Sequence, residues 1–163
     1  MSTEKNLKDA FAGESQANRK YAAFARKAEE EGYHSVARLF RAAAEAEAIH
    51  AYLELKTAGA IGPTAQNLQA AIEGETYEFT TMYPGFIKEA EEEGNSAAKR
   101  AFHLANEAEK VHAELYQKAL VALESKADIQ YFLCMVCGYI HENGTPEKCP
   151  ICGSPPKAFK NVG

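Results

Sequence analysis

The chain has 163 residues, enough for one good hydrophobic core plus a small stapled module and not comfortably more. Hydrophobic residues make up 46% of it with no run long enough to span a bilayer, so no membrane partner is expected and the cytoplasm is the expected location. The formal net charge of −5 leaves no basic footprint for DNA or RNA.

Up to about Leu123 the chain is rich in Ala, Glu, Lys and Leu, with apolar residues three and four apart, as amphipathic helices require. Its punctuation predicts four helices. The first covers about 3–31 and the second about 34–58, with Gly32 between them. The third follows the Gly59-Ala60-Ile61-Gly62-Pro63 break at about 65–93, and the fourth covers about 96–123 after Gly94. Pro84, inside the third, should kink it unless a local irregularity absorbs the missing N–H. The pattern fades at Glu124-Ser125-Lys126-Ala127-Asp128, which predicts a helical domain over 1–124 and a small turn-rich domain over 129–163.

The small domain holds every cysteine, as Cys134-Met135-Val136-Cys137 and Cys149-Pro150-Ile151-Cys152. Two C-x-x-C turns complete a tetrahedral S₄ shell suited to iron or zinc. Gly138 and Gly153 follow each pair, where a residue without Cβ lets the chain turn sharply and aim N–H groups at the sulfurs. Two disulfides would need an oxidising compartment, whereas Met1-Ser2-Thr3-Glu4-Lys5 opens a polar helix and not an apolar signal region.

The helical region repeats itself. Shifted by 62 positions, Phe24, Ala28-Glu29-Glu30-Glu31-Gly32, Phe40, Glu47 and His50 fall on Phe86, Ala90-Glu91-Glu92-Glu93-Gly94, Phe102, Glu109 and His112, with about half of that window identical. Two related helical hairpins follow, each with an E-x-x-H that sends a carboxylate and an imidazole from one helix face. Glu14 and Glu75 answer each other once a single residue of slippage is allowed. Four carboxylates and two imidazoles about a pseudo-twofold axis can hold two iron or manganese ions in a four-helix bundle. Glu78 has only Ala17 opposite it, so one metal has an extra carboxylate. Tyr21 and Tyr83 lie at nearly matching positions and can orient carboxylates through their O–H groups, or be plain core aromatics. Glu29–Glu31 and Glu91–Glu93 read as solvated helix ends. His34 reads as a helix-junction residue, His103 as surface or packing, and His141 as a polar residue of the small domain.

The strings Gly13-Glu14-Ser15-Gln16-Ala17, Glu47-x-x-His50, Gly74-Glu75-Thr76-Tyr77-Glu78 with Met82-Tyr83-Pro84-Gly85, Glu109-x-x-His112, and the knuckles with Cys137-Gly138-Tyr139 resemble the rubrerythrins over nearly the whole length. The resemblance implies an all-α, ferritin-like four-helix bundle plus a C-terminal rubredoxin-like domain. It implies a di-iron site held by Glu14, Glu47, His50, Glu75, Glu78, Glu109 and His112, with His50 a ligand in the reduced state that Glu78 replaces on oxidation. It implies iron on Cys134, Cys137, Cys149 and Cys152, although zinc would fill the same thiolates. The activity implied is reduction of hydrogen peroxide to water, with catalytic roles for Glu78, His50, Tyr21 and Tyr83. Electrons would come from an upstream rubredoxin or flavoprotein reductase in an NADH-linked chain. A ferroxidase or iron-handling protein is one alternative, and a zinc-stapled, non-enzymatic adaptor is the other.

Chain geometry adds an expectation about assembly. For the repeats to face each other, the second and third helices must run parallel, a return of roughly 27 Å along the bundle at 1.5 Å per residue. Gly59 to Thr64 spans at most about 17 Å, so a segment-swapped homodimer is expected, with each di-iron site shared between two chains.

Overall fold

The computed structural model describes residues 2–163 and divides into two compact units, Met1–Gly62 and Pro63–Gly163. The first is a helical hairpin of α1 (Thr3–Glu30) and α2 (His34–Thr57). Helix α1 starts where the Ser2 side chain accepts the Lys5 N–H, satisfying one of the free donors of the first turn. It ends at Gly32, whose φ of +82° lets Tyr33 N–H bond Ala28 O at 2.8 Å. Gly59 closes α2 in the same way, with Ala60 N–H on Leu55 O at 3.2 Å. Glu29 holds the hairpin turn by accepting from Arg41 and pairing with His34 Nδ1 at 2.7 Å, a bridging role beyond the solvated one expected of it.

Among the described residues, the hairpin fully buries only alanines: Ala25 and Ala28 of α1, and Ala37, Ala44 and Ala51 of α2. Their spacing along α2 by sevens keeps one narrow face against α1 and lets the helices approach closely. Asn18 Nδ2 crosses that seam to donate to Ala44 O at 2.6 Å.

In the second unit, the predicted third helix is an interrupted one. It comprises α3 (Thr64–Tyr77), a π-helical segment (Glu78–Met82) and α4 (Tyr83–Glu92), followed by α5 (Ser96–Val121). The π segment ends at Met82, two residues before Pro84, where the helical ladder lacks a donor, and so is the irregularity that accommodates the proline. It also explains the slippage in the repeat. Glu14 and Glu75 are 61 apart, whereas Tyr21 and Tyr83 are 62 apart, and a π turn inserts one residue between those points. Beyond it the hairpins match closely. Tyr21, Phe24 and Phe40 have ring centroids 5.5–6.3 Å apart, and Tyr83, Phe86 and Phe102 also 5.5–6.3 Å.

After a 3₁₀ turn at Leu123–Ser125, three short strands form an antiparallel sheet in the order β2-β1-β3: β1 Tyr131–Cys134, β2 Ile140–Glu142 and β3 Phe159–Val162. Glu142 on β2 pairs with Lys118 on α5 at 3.0 Å. No helix among the described residues is long and apolar enough to cross a membrane.

Candidate metal centres

The knuckles take the shape expected of a thiolate cage. Gly138 (φ +83°) and Gly153 (φ +73°) sit in the left-handed region, and their N–H groups bond Cys134 O and Cys149 O at 3.0 and 2.9 Å. The sulfurs are 3.7 Å apart for Cys134–Cys152 and 3.5 Å for Cys137–Cys149. A tetrahedron with metal–sulfur bonds of about 2.3 Å has edges of about 3.8 Å, so the four thiols fit one ion, and the cysteines are free rather than bonded in pairs. Burial raises the Cys137 and Cys149 thiols above the ordinary range. At Cys152 burial pushes the same way, but the Ser154 hydroxyl and backbone N–H, with help from Cys149 and Cys137, outweigh it and bring the thiol to about 6.

The carboxylate and histidine ligand candidates gather into two clusters, one per unit. In the first, Glu14 of α1 meets Glu47 and His50 of α2, with ligand-type atoms within 4.8 Å of one another and His50 Nδ1 2.9 Å from Glu47 Oε2. In the second, Glu75 of α3 meets Glu109 and His112 of α5 within the same limit, and His112 Nδ1 lies 2.6 Å from Glu109 Oε2. Crowding carboxylates in partly buried space raises their proton affinity. Burial and then Glu109 push Glu75 up to about 7 and also raise Glu78. Desolvation and then Glu47 raise Glu14. Such clusters favour a cation that removes the mutual repulsion.

His112 is the better fixed imidazole. Its Nε2 donates to the Gly138 carbonyl at 2.8 Å, which commits the ring to a tautomer with Nδ1 turned toward Glu109 and Glu75. Burial opposes its protonation, but Glu109 and the Gly138 carbonyl outweigh that and raise its pKa. Tyr83 lies within electrostatic reach of the second cluster, its O–H proton held by burial and by Glu109, Glu78 and Glu75. Glu78 opens the π segment and stands outside the three-residue cluster. Tyr21 packs in the aromatic group of the first hairpin. His34 heads α2, His103 is exposed, and His141 on β2 has a buried Nδ1 without a partner among the described residues.

Two residues near the clusters escaped the sequence reading. Tyr116 stands one turn beyond His112, its phenol raised by burial and by Glu75 and Glu109. Glu54, at the matching place beyond His50, acts on Glu14 and has a buried Oε2 with no partner among the described residues. The sequence signal was their spacing of four from each histidine, on the same helix face.

This combination of a helical scaffold with two E-x-x-H clusters and a four-cysteine knuckle domain defines an iron-binding oxidoreductase class. A family profile described as rubrerythrin matches residues 5–120, and one described as the rubrerythrin rubredoxin-like domain matches residues 132–160. Nigerythrin of Nitratidesulfovibrio vulgaris (strain Hildenborough) is 44% identical, covering 97% of this chain and 85% of its own. Rubrerythrin of Porphyromonas gingivalis is 38% identical, covering 97% and 88%. Among solved structures, nigerythrin in its mixed-valence state aligns over 99% of this chain and 87% of that one, with 44% identity and a TM-score of 0.59. The fully reduced, all-ferrous nigerythrin gives the same TM-score at 43% identity. The chain belongs to the rubrerythrin family, with a carboxylate–histidine di-iron site and a four-cysteine rubredoxin-like iron site.

Proposed function

We propose that the protein reduces hydrogen peroxide to water, taking electrons through its four-cysteine centre. The observation that carries this reading is the bond from His112 Nε2 to the Gly138 carbonyl, which ties the knuckle directly to an imidazole of the second carboxylate cluster. An iron-storage role has no use for such a link. When loaded, two ferrous ions supply together the two electrons that peroxide needs, and the Fe(Cys)₄ centre restores them one at a time.

The chain's own residues divide the remaining work. Glu47 and Glu109 would serve both ions, Glu14, Glu75 and His112 would each hold one, and His50 and Glu78 would be the alternative ligands at one of them. Glu78 suits exchange because it begins the π segment, stands outside the cluster, and is partly buried beside Glu109. Tyr83 and Tyr21 orient carboxylates or peroxide through their hydroxyls. The upstream donor is a rubredoxin or a flavoprotein reductase, ultimately fed by NADH, and the reduced cysteines suit the cytoplasm. Functionally the chain divides into a di-iron domain at 1–124 and an electron-transfer domain at 129–163.

We further propose a segment-swapped homodimer. The Ala60 N–H bond to Leu55 O holds the chain at the end of α2, and the remaining four residues to Thr64 reach at most about 14 Å. Bringing Glu75 level with His50 on parallel helices needs roughly 27 Å. A complete site therefore draws α1–α2 from one copy and α3–α5 from another. Peroxide turnover after Glu78→Ala and after Cys149→Ser tests the enzyme reading: both should lower it, and unchanged turnover in both would exclude it.

A further inference from the structure

The repeat that relates α2 to α5 extends to the surface on which α5 carries the four-cysteine domain. On α5, His112 Nε2 donates to Gly138 O at 2.8 Å and Lys118 Nζ pairs with Glu142 at 3.0 Å. Val111 and Leu115 line a crevice opposite Tyr139 and Ile140. Ala108 lies so close to the knuckle that a Cβ on Gly138 would stand 3.9 Å from its own. The residues 62 positions earlier are His50, Lys56, Ile49, Leu53 and Ala46. Four of these five pairs are identical and the fifth, Ile49 with Val111, differs by one methylene. Neighbouring surface pairs such as Tyr52 with Glu114, Leu39 with Ala101 and Thr57 with Ala119 have diverged.

On α2 these positions stand open. Ile49 is 67% exposed and Leu53 59%, and the His50 side chain is 56% exposed against 17% for His112. His50 Nε2 and the Lys56 ammonium have no hydrogen-bond or ion-pair partner among the described residues. At about 100° per residue, Ala46, Ile49 and Leu53 lie on the side of α2 opposite Ala37, Ala44 and Ala51, the buried alanines, so α1 does not cover them.

We propose that this face of α2 is the docking site of a separate Fe(Cys)₄ electron carrier, seated as the chain's own knuckle domain is seated on α5. A knuckle carbonyl of the carrier accepts from His50 Nε2, one of its carboxylates meets Lys56, and its apolar knuckle residues cover Ile49 and Leu53. The purpose of docking rests on the peroxidase reading. Docked there, a ferrous carrier passes one electron to a ferric ion of the di-iron site and itself becomes ferric, a second entry beside the chain's own Fe(Cys)₄ centre, and two such transfers replace the pair that one peroxide consumes together with two protons from water.

The test uses zinc-loaded rubredoxin, which carries the same kind of knuckle and is redox-inert, titrated into the iron-loaded full-length protein by calorimetry at low salt. One carrier per chain should bind, with affinity weakened about tenfold or more by Lys56→Glu and by Leu53→Asp, and a few-fold by Ile49→Ala. Val121→Asp, at an 89% exposed position near the end of α5, should leave binding unchanged. Circular dichroism and sedimentation should be unaltered in all four variants. No binding, or binding indifferent to both Lys56→Glu and Leu53→Asp, overturns the proposal. Loss of self-association with carrier affinity intact also overturns it, since the face would then be a contact between copies. Binding as predicted in a protein that fails to reduce peroxide supports the docking face and ends the peroxidase reading instead.

Discussion

His112 Nε2 donates to the carbonyl oxygen of Gly138 across 2.8 Å, joining a carboxylate-clustered imidazole on α5 to the first cysteine knuckle. His50, its counterpart on α2, keeps the carboxylate contact through Nδ1 and lacks the knuckle bond. A hydrogen bond on the far ring nitrogen fixes tautomer and orientation and raises ligand basicity. His112→Gln should therefore lower iron affinity at the di-iron site by tenfold or more, and by more than His50→Gln does. Iron titration of both variants checks this, with the Fe(Cys)₄ absorption as an internal reference that neither should lose. Equal losses would mean that the Gly138 bond contributes nothing to the site.

Among the described residues, Ser154 is the one whose side-chain hydroxyl is hydrogen-bonded to the thiolate cage, at 3.1 Å from Cys152 Sγ. Hydrogen bonds to sulfur favour the reduced, more negative cluster. Ser154→Ala should lower the Fe(Cys)₄ potential by a few tens of mV, since a hydrogen bond to a charged group is worth about 1.5 kcal/mol or more and only part of it differs between oxidation states. Spectroelectrochemical titration reads the shift, and an unchanged potential would refute the role of this bond.

The metal-free protein should lose stability as pH rises. Folded Glu75 keeps its proton to about 7, whereas the unfolded chain releases it near 4.5. Between those values the folded state binds more protons, so stability falls with increasing pH through that window. Glu78 and Glu14 are raised too and act in the same direction. His112, also raised, contributes stability that is present below 6.5 and lost as pH climbs through its folded value. Urea denaturation of chelator-treated protein from pH 4.5 to 8 should show the decline. Iron loading, which needs the ligands deprotonated, should abolish or reverse it.

Lengthening the α2–α3 connection tests the swap. Inserting about ten Gly/Ser residues between Gly62 and Pro63 gives the chain enough reach to close a site on its own. Sedimentation should then find monomers that still bind iron at the carboxylate site. A dimer that persists unchanged would show that the short connection does not dictate assembly.

Much of this architecture was legible because the fold repeats its own grammar. Gly32, Gly59 and Gly94 marked the helix ends, and all three adopt positive φ. The E-x-x-H pairs and the knuckle spacing named residues that the structure does gather into compact clusters. The π segment was visible only as a one-residue slip and a misplaced proline, because a π turn follows from ladder geometry and has no residue signature of its own. Glu54 and Tyr116 were missed because their side chains differ although their positions match, so the repeat hid them. The His112–Gly138 bond was not readable at all, since it joins residues 26 apart through a backbone carbonyl.

The most direct test is anaerobic reduction of the iron-loaded protein followed by stoichiometric hydrogen peroxide, with metal count and visible spectrum recorded beforehand. The account predicts about three irons per chain, a ferric-thiolate spectrum that bleaches on reduction, and rapid reoxidation with two electrons consumed per peroxide. A protein that holds its iron after Fe(II) reconstitution and yet is reoxidised by dioxygen and not by peroxide would contradict it.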